Sequence, residues 1–138
     1  MNAAYLLTPK SQLVWMQDDH TLRQALEKMR RYGYGEMPVV NKDGKYQGTV
    51  TEGDFLWHLI GDPQQELTTI PLQAAEEHLL GEIVTPDRVP AVSITASLGE
   101  LMHQALSHSF IPVVDDTGTF IGIVTRTAVM RYCFAKHK

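Results

Sequence analysis

Residues 34–60, YGEMPVVNKDGKYQGTVTEGDFLWHLI, and residues 108–133, HSFIPVVDDTGTFIGIVTRTAVMRYC, are two versions of one pattern. In each, a Pro-Val-Val strand runs into a Gly-centred turn, then a second apolar run ending in Val-Thr, then an apolar helix. The register is unbroken, with 13 positions from Pro38 to Thr51 and 13 from Pro112 to Thr125. Self-similarity of this length predicts two similar units packed on each other. The groove between them is then the first place to seek function.

Working outward, the same order extends to both sides of each copy. Leu6-Leu7-Thr8-Pro9 opens the first as an extended lead-in, followed by an apolar strand over Leu13–Met16. Thr21 with Gln24 three residues on forms a capping box, and Leu22, Ala25, Leu26 and Met29 mark one buried helical face. Arg30-Arg31 suit the negative end of that helix, and Gly33 stops it. Strands over Met37–Val40 and Tyr46–Val50 flank a turn with the hairpin dipeptide Asp43-Gly44, and Thr51 caps a second helix ended by Gly61-Asp62-Pro63.

In the second copy Val84-Thr85-Pro86 answers Leu7-Thr8-Pro9, and Pro90–Ile94 is the lead strand. Ser97 with Glu100 makes a second capping box, ahead of a face of Leu98, Leu101, Met102 and Ala105. Strands over Phe110–Val114 and Phe120–Val124 come next, and Thr125 caps the last helix. The expected fold is α/β (α+β): two β-α-β-β-α repeats, at 1–62 and 83–138, packed as a pseudo-two-fold pair of three-stranded sheets. Residues 63–82 form a connector with breakers at Asp62-Pro63 and Ile70-Pro71 and a short helix over Ala74–Leu80. The unbroken Pro-Val-Val and Ile-Val runs predict strands covered on both faces.

Composition narrows the partners. A net charge of −4 gives no support for nucleic acid or an anionic membrane surface. A single cysteine, Cys133, excludes a disulfide framework within one chain, and its apolar setting predicts a buried, inert thiol. No run approaches the ~18 apolar residues that span a bilayer, and the N-terminus lacks the basic region of a secretion signal, so a cytoplasmic location is expected.

Gly48-Thr49-Val50-Thr51-Glu52-Gly53-Asp54 resembles the Gly-h-h-Thr-x-x-Asp signature (h, apolar) of cystathionine-β-synthase (CBS) domains. The Pro-Val-Val strand thirteen positions before the threonine and the Thr-Pro lead-in are similar to that family as well. Because both copies match in register, the resemblance is to a tandem CBS protein, or Bateman module, of the stand-alone bacterial type. Such modules commonly bind adenosine-containing ligands between the two repeats. The resemblance therefore implies a non-catalytic regulatory module that binds AMP, ADP or ATP and signals to a protein effector. Cyclic di-AMP is an alternative ligand within the same fold.

On that resemblance, Thr51 and the first amides of its helix form an anion site, to which the helix dipole contributes ~0.3–1 kcal/mol. Asp54 accepts from both ribose hydroxyls, at roughly 1.5–3 kcal/mol per charged hydrogen bond. Leu13, Gly35, Met37 and Pro38 would lie against the base. The second copy contributes Phe110, Ile111, Pro112, Thr125 and Arg126, but it departs from the pattern, with Ala128 where Asp54 stands and Arg126 where Glu52 stands. An arginine beside a helix N-terminus suits phosphate. Three occupancies stay open: one nucleotide in the first copy, a polyphosphate reaching Arg126, or a cyclic dinucleotide.

The other residues point to plainer roles. Lys10 is expected to be a surface lysine, and His108 to lie near the second Pro-Val-Val strand. The six histidines show no metal-ligand spacing, and neither a nucleophile elbow nor a P-loop is present, so neither a metal nor an enzyme is expected. Trp57 and Met130-Arg131-Tyr132 predict a homodimer through the repeat helices, parallel or antiparallel. A structural dimerisation protein with vestigial ligand sites is the rival account, supported by Ala128.

Overall fold

The structure, a computed structural model, describes residues 1–60, 76–86 and 88–136. The expected stops at Asp62-Pro63 and Ile70-Pro71 lie outside them. The chain folds as two compact units, one made of residues 14–88 and the other of 1–13 together with 89–138. Each unit thus takes its leader from in front of the other repeat.

In unit 14–88, β2 (Met16–Gln17) runs parallel to β3 (Glu36–Val40), which pairs antiparallel with β4 (Tyr46–Thr51). Helix α2 (Leu22–Tyr32) joins β2 to β3, and α3 (Glu52–Ile60) comes after β4. The capping box on α2 forms in both directions, and Gly33 closes the helix in the left-handed region at φ 72°. Leu22, Ala25 and Met29 are buried, with Leu26 packed at the edge, as the spacing predicts. Their core partners are Met16, Met37, Val39, Val50, Phe55 and Leu80. The last four residues of β3 are all buried, the signature of a strand covered on both faces.

The lead strand is shorter than the apolar run Leu13–Met16 predicts. Only Met16 and Gln17 find rungs, opposite Val39 and Val40, before the turn at Asp18 ends the ladder. Leu13 instead closes a 3₁₀ turn over Lys10–Gln12. Of the expected connector helix, Glu76 and Glu77 are helical, and the chain leaves the helix at His78. It then tightens into a 3₁₀ turn at Leu80–Glu82, whose start is capped by the Glu82 carboxylate on the Leu79 amide.

The other unit contains α1 (Ala3–Leu6), β1 (Thr8–Pro9), β5 (Val92–Ser93), α4 (Leu98–Ala105), β6 (Phe110–Val114), β7 (Phe120–Thr125) and α5 (Arg126–Lys136). Here three strands are an underestimate: the sheet has four, in the order β1-β7-β6-β5. The fourth is the leader, with Thr8 opposite Ile123 and Pro9 opposite Gly122. The equivalent leader in unit 14–88 makes one bridge, Thr85 to Thr49. Both leaders cross a glycine because a side chain there would collide with them. A Cβ on Gly122 would lie 2.2 Å from the Thr8 carbonyl oxygen, and one on Gly48 2.8 Å from that of Thr85. Among the residues expected to be inward on α4, Leu101 and Ala105 are buried, whereas Met102 stands out as exposed. Ser97 accepts from the Glu100 amide at 3.2 Å, and its hydroxyl meets the Glu100 carboxylate at 3.5 Å. Cys133 is only partly buried, packed against the core formed by residues such as Ile111, Val113 and Val124.

Candidate functional site

The junction of β4 and α3 in unit 14–88 is held by reciprocal bonds between two residues three apart. The Thr51 hydroxyl accepts from the Asp54 amide at 3.3 Å, and the Asp54 carboxylate accepts from the Thr51 amide at 2.8 Å. This is a capping box built from the signature threonine and aspartate themselves. The Glu52 amide donates to the Gly35 carbonyl at 3.0 Å, tying the start of α3 to the segment before β3. Gly35, Thr51 and Asp54 are thereby brought together. Met37 and Pro38 lie just beyond, but both are buried, Met37 fully inside the core, so neither presents the base-contacting surface expected of it.

A residue that the sequence did not flag completes this corner. The Arg88 guanidinium grips both oxygens of Asp54: Nη1 donates to Oδ1 at 2.8 Å and Nη2 to Oδ2. Nη2 also donates to the Thr49 carbonyl at 2.9 Å. The Asp54 side chain is 16% exposed and that of Arg88 37%, so the pair sits at the surface with its carboxylate largely covered. Burial alone would raise the Asp54 carboxyl; the Arg88 and Thr51 hydrogen bonds outweigh it and hold the group below its ordinary value.

Beneath the pair, Tyr46 Oη lies 2.8 Å from Thr49 Oγ1, and Thr49 is fully buried. Burial pushes the Tyr46 phenol up to about 12, against smaller opposing effects of the Thr49 bond and the Arg88 charge. Arg88 was missed because the repeat pattern assigns Thr85-Pro86 and the residues after them to the second copy. The exchange of leaders carries it to the first. The available signal was the departure of Arg88 from Ser11, which occupies the matching place after Thr8-Pro9.

The matching corner of the other unit is built differently. Thr125 Oγ1 accepts from the Ala128 amide at 3.0 Å, and the Arg126 amide donates to the Ser109 carbonyl at 2.9 Å, repeating the backbone scheme. Ala128 supplies no carboxylate. The Arg126 side chain turns to the end of α4, where Nε donates to the Ala105 carbonyl at 2.7 Å. An arginine at a helix C-terminus satisfies a carbonyl left without a helical partner and opposes the dipole. Phe110, Ile111 and Pro112 are buried, and Leu13, partly buried, belongs to this unit. The His108 amide donates to the Gln104 carbonyl at 3.0 Å in the turn after α4. Among the described residues, no helix is long and apolar enough to cross a membrane.

The CBS-domain family model matches residues 6–61 and again residues 80–135. Homoserine O-acetyltransferase of Methanocorpusculum labreanum is 29% identical over 110 residues; these are 80% of this chain but 20% of that enzyme. The chain thus spans about a fifth of that curated relative's length. CbpB of Listeria monocytogenes, solved in complex with cyclic di-AMP, superposes with a TM-score of 0.79 at 23% identity, covering 97% of this chain and 96% of that one. CBSX2 of Arabidopsis thaliana, a CBS-pair protein, was solved in complex with AMP; it superposes at 0.75 with 22% identity, over 99% and 98% of the two chains. At these identities the likeness establishes the fold. The family model matches both repeats, Ala128 notwithstanding, and the solved structures cover nearly all of the chain, which belongs to the CBS-domain family.

Proposed function

We propose that this chain is a regulatory module that takes an adenine nucleotide at the Thr51–Asp54 corner of unit 14–88 and passes its state to a protein effector. The observation that carries the proposal is Asp54 itself. A carboxylate held ionised in the first turn of α3 can accept from ribose hydroxyls once an Arg88 bond yields, and it stands beside the positive end of the helix that suits phosphate. The fold shared with CBSX2 and CbpB, each solved with an adenine nucleotide, supports the choice of ligand class.

AMP, ADP, ATP and cyclic di-AMP remain the candidates. Ala128 and the engagement of Arg126 with Ala105 favour a single nucleotide at the first corner over matched occupancy of both. Titration calorimetry against the four nucleotides tests the proposal. Heat with at least one of them is expected, and no heat with any would sink it.

Self-association belongs to the same proposal. Trp57 on α3 is 66% exposed. On the other unit, Met102, Leu106, Met130 and Phe134 line an apolar groove of about 390 Å³ beside α4 and α5. Such exposed side chains on short helices support a homodimer. Sedimentation equilibrium at micromolar concentration should return twice the 15.5 kDa chain mass; a monomer would remove this part. A cytoplasmic location is proposed with it.

A further inference from the structure

We propose that Arg88 is a latch on the Asp54 corner which makes it select phosphorylated nucleotides over the bare nucleoside; this rests on the nucleotide reading above. The acceptor sites of Asp54 are nearly all occupied. A carboxylate has about four lone-pair sites. Three are taken in this structure: by Arg88 Nη1, by Arg88 Nη2 and by the Thr51 amide. One remains, and a ribose diol needs two. The Thr51 bond is part of the helix cap, so the bond that yields is one of Arg88's.

What happens to the released guanidinium decides the selectivity. A guanidinium that gives up a carboxylate oxygen exchanges a charge-assisted bond for water, since the Arg88 side chain is 37% exposed. Nη2 keeps the Thr49 carbonyl at 2.9 Å as a pivot, so Arg88 turns about a fixed point and does not leave the corner. A nucleoside offers the freed fork nothing, and its hydroxyl bonds only replace an ion pair. A phosphate offers two oxygens that the planar fork can engage together, and the helix N-terminus lies alongside. Arg88 therefore opposes adenosine and recruits AMP. The second corner has no counterpart of this device, because Ala128 gives an arginine nothing to hold.

The test is to titrate the full chain with AMP and with adenosine, comparing wild type with Arg88→Ala and Arg88→Lys. The expected result is that Arg88→Ala binds adenosine about 10-fold more tightly and AMP about 10-fold more weakly, so the preference for AMP collapses by about 100-fold. Arg88→Lys, which keeps the charge but cannot hold two oxygens and Thr49 at once, should fall between. It also carries the test if Arg88→Ala fails to fold. A preference for AMP unchanged in the folded variants, or equal weakening toward both ligands, would overturn the latch while leaving the nucleotide site standing. Absence of AMP binding to wild type would overturn the latch; absence of binding by all four nucleotides, or nucleotide binding that Asp54→Ala leaves untouched, would overturn both.

Discussion

Arg88 and Asp54 lie 34 residues apart in sequence and form a bidentate ion pair, with Arg88 Nη1 2.8 Å from Asp54 Oδ1. The pair links the leader of the second repeat to the first turn of α3 in the first. The aspartate proposed to hold the ribose is thus also a structural residue. Its stability contribution is modest, because Arg88 is more than a third exposed and solvent screens the pair; about 1 kcal/mol is a fair magnitude.

The pH dependence of that contribution has a definite sign. The folded Asp54 carboxyl lies below its ordinary 3.8, so its stabilisation is fully present above that value and is lost as pH falls through the lower folded value. The urea midpoints of wild type and Asp54→Asn should therefore differ by a constant amount at neutral pH and converge below about pH 4. A gap that persists undiminished in strong acid would show that Asp54 is not held ionised.

Tyr46 gives a spectroscopic readout of the same corner. Its phenol is pushed up to about 12, mainly by burial. Tyr46 should ionise late in an alkaline absorbance titration, and Tyr46→Phe should remove that late step. Because the folded phenol resists ionisation, its contribution is intact below its ordinary value of 10 and is lost as pH rises from there toward 12. A wild-type titration with no late tyrosine would contradict the burial of this group.

The leaders impose a steric demand. Gly122→Ala would drive a Cβ to 2.2 Å from the Thr8 carbonyl oxygen, and Gly48→Ala would reach 2.8 Å from that of Thr85. Both obstacles are backbone, so the leader itself must shift. Each change should destabilise by roughly 1–3 kcal/mol, Gly122→Ala the more, measured by thermal or urea melts. Full wild-type stability in Gly122→Ala would mean that β1 does not sit on β7 as described.

Most of this architecture was legible because it is written in local signals. The capping box at Thr21 and Gln24, the stop at Gly33 and the apolar runs of β3 and β6 depend on neighbours a few residues away. What was not legible depends on chain crossing. Thr8 and Pro9 carry no mark that they pair with Gly122 and Ile123, and Arg88 carries none that it reaches Asp54. Arg126 shows the same limit. Its place beside a helix N-terminus suggested a phosphate ligand, while the nearby end of α4 gives its side chain a carbonyl at 2.7 Å. Met102 fits the periodicity of a buried face yet stands exposed, lining the groove beside α5 instead of the core that Leu101 and Ala105 enter.

The central claim is that the Asp54 carboxylate binds an adenine nucleotide, and the most direct measurement is calorimetric titration of AMP into wild type and Asp54→Ala. Saturable binding to wild type is expected, with a loss of about 10–100-fold in the variant, the contribution of one or two charged hydrogen bonds. Equal affinity in a folded Asp54→Ala protein would contradict it.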